Sequence, residues 1–253
     1  VYPFEYNNFD KLEGLVKTKN IGVIKMEVYR NKEPENNFLH RVRKLANEHN
    51  IVLVFDECTS GFRKNYGGLH KLYDVEPDVA MFGKALGNGY AVTAVLGKRE
   101  VMLAAEKSFI SSTFWTERIG SSAALATLKA MDKEKSWEKI TSTGEHINQE
   151  WLKLSQEFEL PITISGLAAL TTFTFKSDNA LAYKTLITQE MLKKGYLAAT
   201  AVYVCTAHTP DIIKTYLENL KPIFKTIKEC EEGRDVMKLL EGPIAHNGFK
   251  RLN

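Results

Sequence analysis

The chain has 253 residues, 44% of them hydrophobic, and carries 34 basic and 31 acidic side chains for a net charge of +3. This is enough apolar sequence for one large core or two smaller ones, and the well-mixed charges hold no basic block that would follow nucleic acid or an anionic membrane. Cys58, Cys205 and Cys230 lie far apart with no Cys-x-x-Cys spacing. That argues against a disulfide framework or structural zinc and for a reducing, cytoplasmic setting, and no apolar stretch reaches the roughly 18 residues of a membrane span.

Val1-Tyr2-Pro3-Phe4 reads like the middle of a fold, so an upstream portion is expected. The first predicted element is a short buried strand over Ile21 to Glu27. Asn36 or Asn37 then offers an N-cap to a helix from Phe38 to His49. Its apolar residues Phe38, Leu39, Val42, Leu45 and Ala46 recur at helical spacing opposite a charged face. Ile51 to Phe55 is apolar on both faces, as a central parallel strand should be. Strand, helix and strand in this order form a crossover unit. That places Asp56 at the carboxyl end of its second strand, where open α/β sheets hold their ligands. Val79 to Phe82 and Val92 to Gly97 read as two further strands, and Lys84 follows the first of them.

The chain is predicted to be helical from Glu117 to Met131 and from about Ser136 to Phe158. Strands over Leu170 to Phe175 and Leu197 to Val204 then flank a helix from about Asn179 to Lys194, which stops at Gly195. A last helix runs from about Pro210 to Cys230. The expected organisation is the latter half of a large, mainly parallel α/β domain over residues 1–130. A small α+β domain follows over residues 131–253.

Lys84 lies in Phe82-Gly83-Lys84-Ala85-Leu86-Gly87-Asn88-Gly89. An amine on a glycine-rich turn at a strand end can form a Schiff base with an aldehyde. In pyridoxal-phosphate chemistry its acidic counterpart is an Asp that keeps the pyridine nitrogen protonated, and Asp56 is placed for that role.

Asp56-Glu57-Cys58-Thr59-Ser60-Gly61-Phe62-Arg63, followed by Phe82-Gly83-Lys84, resembles the class III, fold-type I pyridoxal-phosphate aminotransferases, and most of all their glutamate-1-semialdehyde aminomutase branch. Glu27 falls where that family has a Glu-Pro pair, with Val28 in place of the proline. Gly166 to Leu170 and Thr206-Ala207-His208-Thr209 resemble stretches of its C-terminal domain. The closing Gly248 to Asn253 resembles tails of aminomutase-like enzymes of surface-sugar pathways.

The resemblance implies that Lys84 bonds pyridoxal 5'-phosphate and then moves protons on the substrate, while Asp56 pairs with the ring nitrogen. It implies that Cys58 packs on the ring face. Thr113, preceded by Ser112 where the family has Gly, would bind the phosphate of a partner subunit's cofactor. It further implies a homodimer acting on a small amino donor and acceptor, with no nucleic-acid or membrane partner. The family's phosphate-cradling loop and ring-stacking aromatic lie upstream of this kind of sequence, so the chain alone is expected to be inactive. His208 and Arg63 are read as structural.

Two other readings compete. A degenerate aminotransferase fold could serve as a dimerisation or regulatory module, although retention of both Asp56 and Lys84 argues against it. A nucleotide-binding protein would need a Ser or Thr after Lys84 and a glycine at P-loop spacing before it, which the sequence lacks.

Overall fold

The computed structural model describes residues 1–29, 31–111, 113–115 and 117–246. Ser112 and the closing segment from Gly248, on which two of the resemblances rest, lie outside the described residues. The chain divides into two compact units, Val1–Glu138 and Lys139–Asn253.

In the first unit the elements run α1 (Phe9–Thr18), β1 (Val23–Met26), α2 (Phe38–Glu48), β2 (Val52–Asp56), β3 (Val79–Phe82), β4 (Ala94–Gly97), a single turn α3 (Arg99–Met102) and α4 (Arg118–Glu134). The strands form one sheet in the order β1-β2-β3-β4. β1, β2 and β3 are parallel, and β4 returns antiparallel to β3.

The alternation of side chains gives this sheet two different faces. Val23 pairs with Val52, Ile24 with Leu53, Lys25 with Val54 and Met26 with Phe55. Phe55 pairs in turn with Ala80, so Ile24, Met26, Leu53, Phe55, Ala80 and Phe82 share one face, and all are buried. The apolar stripe of α2 (Phe38, Leu39, Val42, Leu45 and Ala46) is buried as well, and α2 packs on β2. The opposite face carries Val23, Lys25, Val52, Val54, Asp56 and Met81 and is half-open, with Val23 56% exposed.

The N-terminus of α2 departs from expectation. Asn37 flanks it in a left-handed conformation (φ 56°), and its side chain makes no capping hydrogen bond. Asn36 is left-handed too (φ 50°), so the two asparagines act as turn residues that tolerate this backbone region. α1 lies outside the expected elements because only Leu12 and Val16 of its ten residues are buried. Asn8 caps it by accepting from the Lys11 amide at 3.1 Å.

The second unit holds α5 (Ser136–Glu157, whose first turn begins in the first unit), β5 (Ile162–Ser165), β6 (Leu170–Phe175), α6 (Ala180–Lys193), β7 (Ala201–Tyr203) and α7 (Pro210–Glu231). The expectation of two strands becomes three, in an antiparallel sheet ordered β5-β6-β7. β5 is only four residues long, too short to stand out as an apolar run. β7 is shorter than expected because Leu197, 97% exposed, stays outside the sheet.

Phe173 and Phe175 of β6 point inward to a core shared with Trp151, Leu154, Tyr183, Leu186 and Phe224. The Trp151 and Phe173 rings meet edge-on at 4.7 Å between centroids. Trp151 Nε1 donates to the Tyr216 hydroxyl at 3.1 Å, which satisfies the polar ends of two buried rings. No helix of the described residues is long and apolar enough to cross a membrane.

Candidate active site at the ends of β2 and β3

β2 and β3 are parallel neighbours, so their carboxyl ends deliver the next residues to the same edge of the sheet. From β2 come Asp56, Glu57, Cys58 and Thr59, and from β3 come Gly83 and Lys84. Asp56 is the register partner of Met81. Lys84 starts a 3-10 turn (Lys84–Leu86) with a left-handed backbone, φ 45°. Its carbonyl accepts from the Gly87 amide at 3.1 Å and the Asn88 amide at 3.0 Å. A non-glycine residue held at positive φ stores strain, and such residues concentrate at functional sites.

The lysine is aimed across the gap between the strands. Nζ of Lys84 donates to Oγ1 of Thr59 at 2.5 Å. Thr59 is buried, 8% exposed, so it offers a fixed acceptor.

Asp56 accepts at Oδ1 from the Cys58 amide at 3.1 Å and at Oδ2 from the Lys25 ammonium at 2.9 Å. Burial by itself would raise the Asp56 carboxyl, but Lys25 and the Cys58 amide and thiol outweigh it and hold the group below its ordinary value. Cys58 is influenced by charges on both strands. Burial and the neighbouring Asp56 carboxylate push its thiol up, against an opposing pull from Lys84 and Lys25.

Beneath this edge, Glu57 is fully buried. Its Oε1 accepts from the His70 amide and from His70 Nδ1, each at 2.9 Å, and its Oε2 accepts from Ser60 Oγ at 2.5 Å. Burial raises this carboxyl, yet His70, Ser60 and the Leu69 amide together hold it below its ordinary value. Glu57 therefore ties the turn after β2 to the segment at residues 68–70 and fixes where Asp56, Cys58 and Thr59 emerge.

The structure thus gathers Lys84, Asp56 and Cys58 at one sheet edge. Thr113 takes no part in the hydrogen bonds described there and sits on an exposed turn. His208, in the second unit, accepts at Nδ1 from the Cys205 amide at 3.4 Å, an interaction within its own loop.

The sequence matches the family Aminotransferase class-III over residues 31–228. The chain belongs to that family. The 3-aminobutyryl-CoA aminotransferase of Cloacimonas acidaminovorans is 31% identical over 243 residues, covering 90% of this chain and 59% of that protein. The glutamate-1-semialdehyde 2,1-aminomutase of Nitrosopumilus maritimus is 32% identical over 251 residues, covering 88% of this chain and 58% of that protein. Among solved structures, the PLP internal aldimine form of FumI from Sphingopyxis sp. MTA144 superposes with a TM-score of 0.85 at 23% identity, covering 95% of this chain and 61% of that one. An omega-transaminase from Sphaerobacter thermophilus superposes at 0.78 with 20% identity, covering 87% of this chain and 56% of that one. The fold is the α/β architecture of these class-III relatives, and the chain spans less than two thirds of their length.

Three residues join the site only through the tertiary structure. Thr59 and Glu57 stand inside the quoted motif, but their partners, Lys84 and His70, are remote in sequence. Lys25 leaves one trace in the sequence: it interrupts the apolar run Val23-Ile24-Lys25-Met26 on the face that ends in Asp56.

Proposed function

We propose that this chain supplies the lysine-bearing half of a pyridoxal-phosphate-dependent class-III enzyme that moves an amino group on a small amino or carbonyl compound. The observation that carries this reading is the pair of groups at one sheet edge. Lys84 is held on a strained turn against Thr59, Asp56 ends the neighbouring parallel strand, and both act electrostatically on the Cys58 thiol.

The donor set fits two of the cofactor's three handles. The Lys84 amine can bond an aldehyde, and the Asp56 carboxylate can accept from a pyridine N–H. Gly83, just before Lys84, lies against Cys58 and Thr93: a Cβ there would sit 3.5 Å from Cys58 Sγ and 3.3 Å from Thr93 Cγ2. The third handle, the phosphate, is assigned to the part of the relatives' length that this chain does not span and to Thr113 of a second copy. An exposed turn suits Thr113 to such a role, and the proposed assembly is a homodimer.

Pyridoxal phosphate, when bound, supplies an electron-withdrawing ring that stabilises negative charge at the substrate carbon. Lys84 would anchor it, and once its amine is free would carry a proton between atoms of the bound substrate. Asp56, kept ionised, would hold the proton on the ring nitrogen. Cys58 would offer a small apolar wall to the ring.

The test is reduction of the cofactor-loaded protein with borohydride, followed by peptide mapping. A pyridoxyl group on Lys84 is expected, and its appearance elsewhere, or nowhere, ends this reading. A transferase, like the Cloacimonas relative by its name, would turn over only with a separate acceptor. A mutase, like the Nitrosopumilus relative by its name, would need none.

A further inference from the structure

The Lys25 ammonium occupies one oxygen of the carboxylate assigned to the ring nitrogen, at 2.9 Å from Asp56 Oδ2. Strand register puts it there. Lys25 pairs with Val54, and Asp56 lies two residues further along on the same face. A lysine side chain is long enough to cross from one strand to the next residue but one on its parallel neighbour. The other oxygen already accepts from the Cys58 amide at 3.1 Å. The remaining titratable neighbours are the Cys58 thiol, which also donates to Asp56, Lys84, which acts on Cys58, and Glu27, which acts on Lys25.

A ring nitrogen arriving at Asp56 would therefore meet a carboxylate already paired with a cation. A lone Asp favours a protonated ring, and an Arg at that place favours a neutral one. An Asp with a lysine attached stands between the two. We propose that Lys25 is a positioning residue that sets how firmly Asp56 holds the proton on the ring nitrogen. The inference rests on the reading of Asp56 as the ring anchor.

Two measurements test it. In the cofactor-free chain, the carboxyl 13C signal of Asp56 is titrated in wild type and in Lys25→Met. Loss of the cation is expected to raise the midpoint, and an unchanged midpoint overturns the proposal. In the cofactor-loaded protein, affinity for pyridoxal phosphate is compared with affinity for its carba analogue, in which C–H replaces the ring nitrogen. Wild type keeps Asp56 paired with Lys25 when the analogue binds, so it should discriminate weakly. Lys25→Met leaves Asp56 with no cationic partner, and its preference for the natural cofactor should grow about tenfold.

Lys25→Arg restores a cation and should return the preference to the wild-type value, which a merely structural role would not predict; Lys25→Gln serves if the Met variant does not fold. A preference that stays fixed in Lys25→Met but changes in Asp56→Asn overturns the proposal alone. A preference that ignores Asp56→Asn overturns the reading of Asp56 itself, and the proposal with it.

Discussion

Lys84 reaches Thr59 from a backbone conformation that only glycine adopts without cost: φ is 45° at Lys84, and its Nζ lies 2.5 Å from the Thr59 hydroxyl. The residue type that the chemistry needs is one the turn disfavours. Lys84→Gly is expected to be more stable than Lys84→Ala by about 1 kcal/mol, because the left-handed penalty of an L-residue disappears. Neither variant should attach cofactor covalently. Urea unfolding of the two variants checks this, and equal stabilities would show that the turn holds no strain.

Glu57 is the buried charge on which the site edge rests. Glu57→Gln keeps the shape but loses the charge that His70 and Ser60 donate to, and should cost about 2 kcal/mol. In wild type the carboxyl is held below its ordinary value in the folded state. Its stabilising contribution is therefore complete above the unfolded-state value, about 4.3, and is lost as pH falls through the lower folded value. The stability gap between wild type and Glu57→Gln should narrow on acidification below that point. A gap independent of pH would contradict the buried-carboxylate account.

Asp78 joins three segments. It accepts from the Leu53 amide at 2.8 Å, from Arg43 at 2.9 Å and from Lys98 at 2.7 Å. Burial pushes its carboxyl up, but the Leu53 amide, Lys98 and Arg43 hold it below the ordinary range. Asp78→Ala strands the mostly buried Arg43 and the Leu53 amide, and should cost about 3 kcal/mol. As with Glu57, the contribution is present at neutral pH and lost as pH falls through the folded-state value, so the variant's deficit should shrink in acid. Thermal melts at neutral and acid pH read both effects.

Gly144 in α5 tests the second unit separately. A Cβ there would fall 1.9 Å from the Ala168 carbonyl oxygen, a backbone atom that cannot swing aside. Gly144→Ala would gain helix propensity in isolation, yet here it should destabilise by about 3 kcal/mol through overpacking. A neutral or stabilising result would mean that the helix and the 168 segment are not in contact in solution.

The helices and strands that frame the site were legible because their signals are local. The apolar run before Asp56, the stripe on α2, the stop at Gly195 (φ 82°) and the Pro210 start of α7 each announce an element from a few adjacent residues. α1 and β5 were not, since each buries too few residues to leave a pattern.

Sequence alone determined that an amine and a carboxylate would follow two apolar strands, because strand-forming runs and their ends are written in consecutive residues. Only the tertiary structure decided that Lys25 shares Asp56, that Thr59 receives Lys84 and that His70 covers Glu57. Those pairings depend on register between strands and on chain returning from tens of residues away. Distances of that kind are fixed by packing the sheet, and no local pattern encodes them.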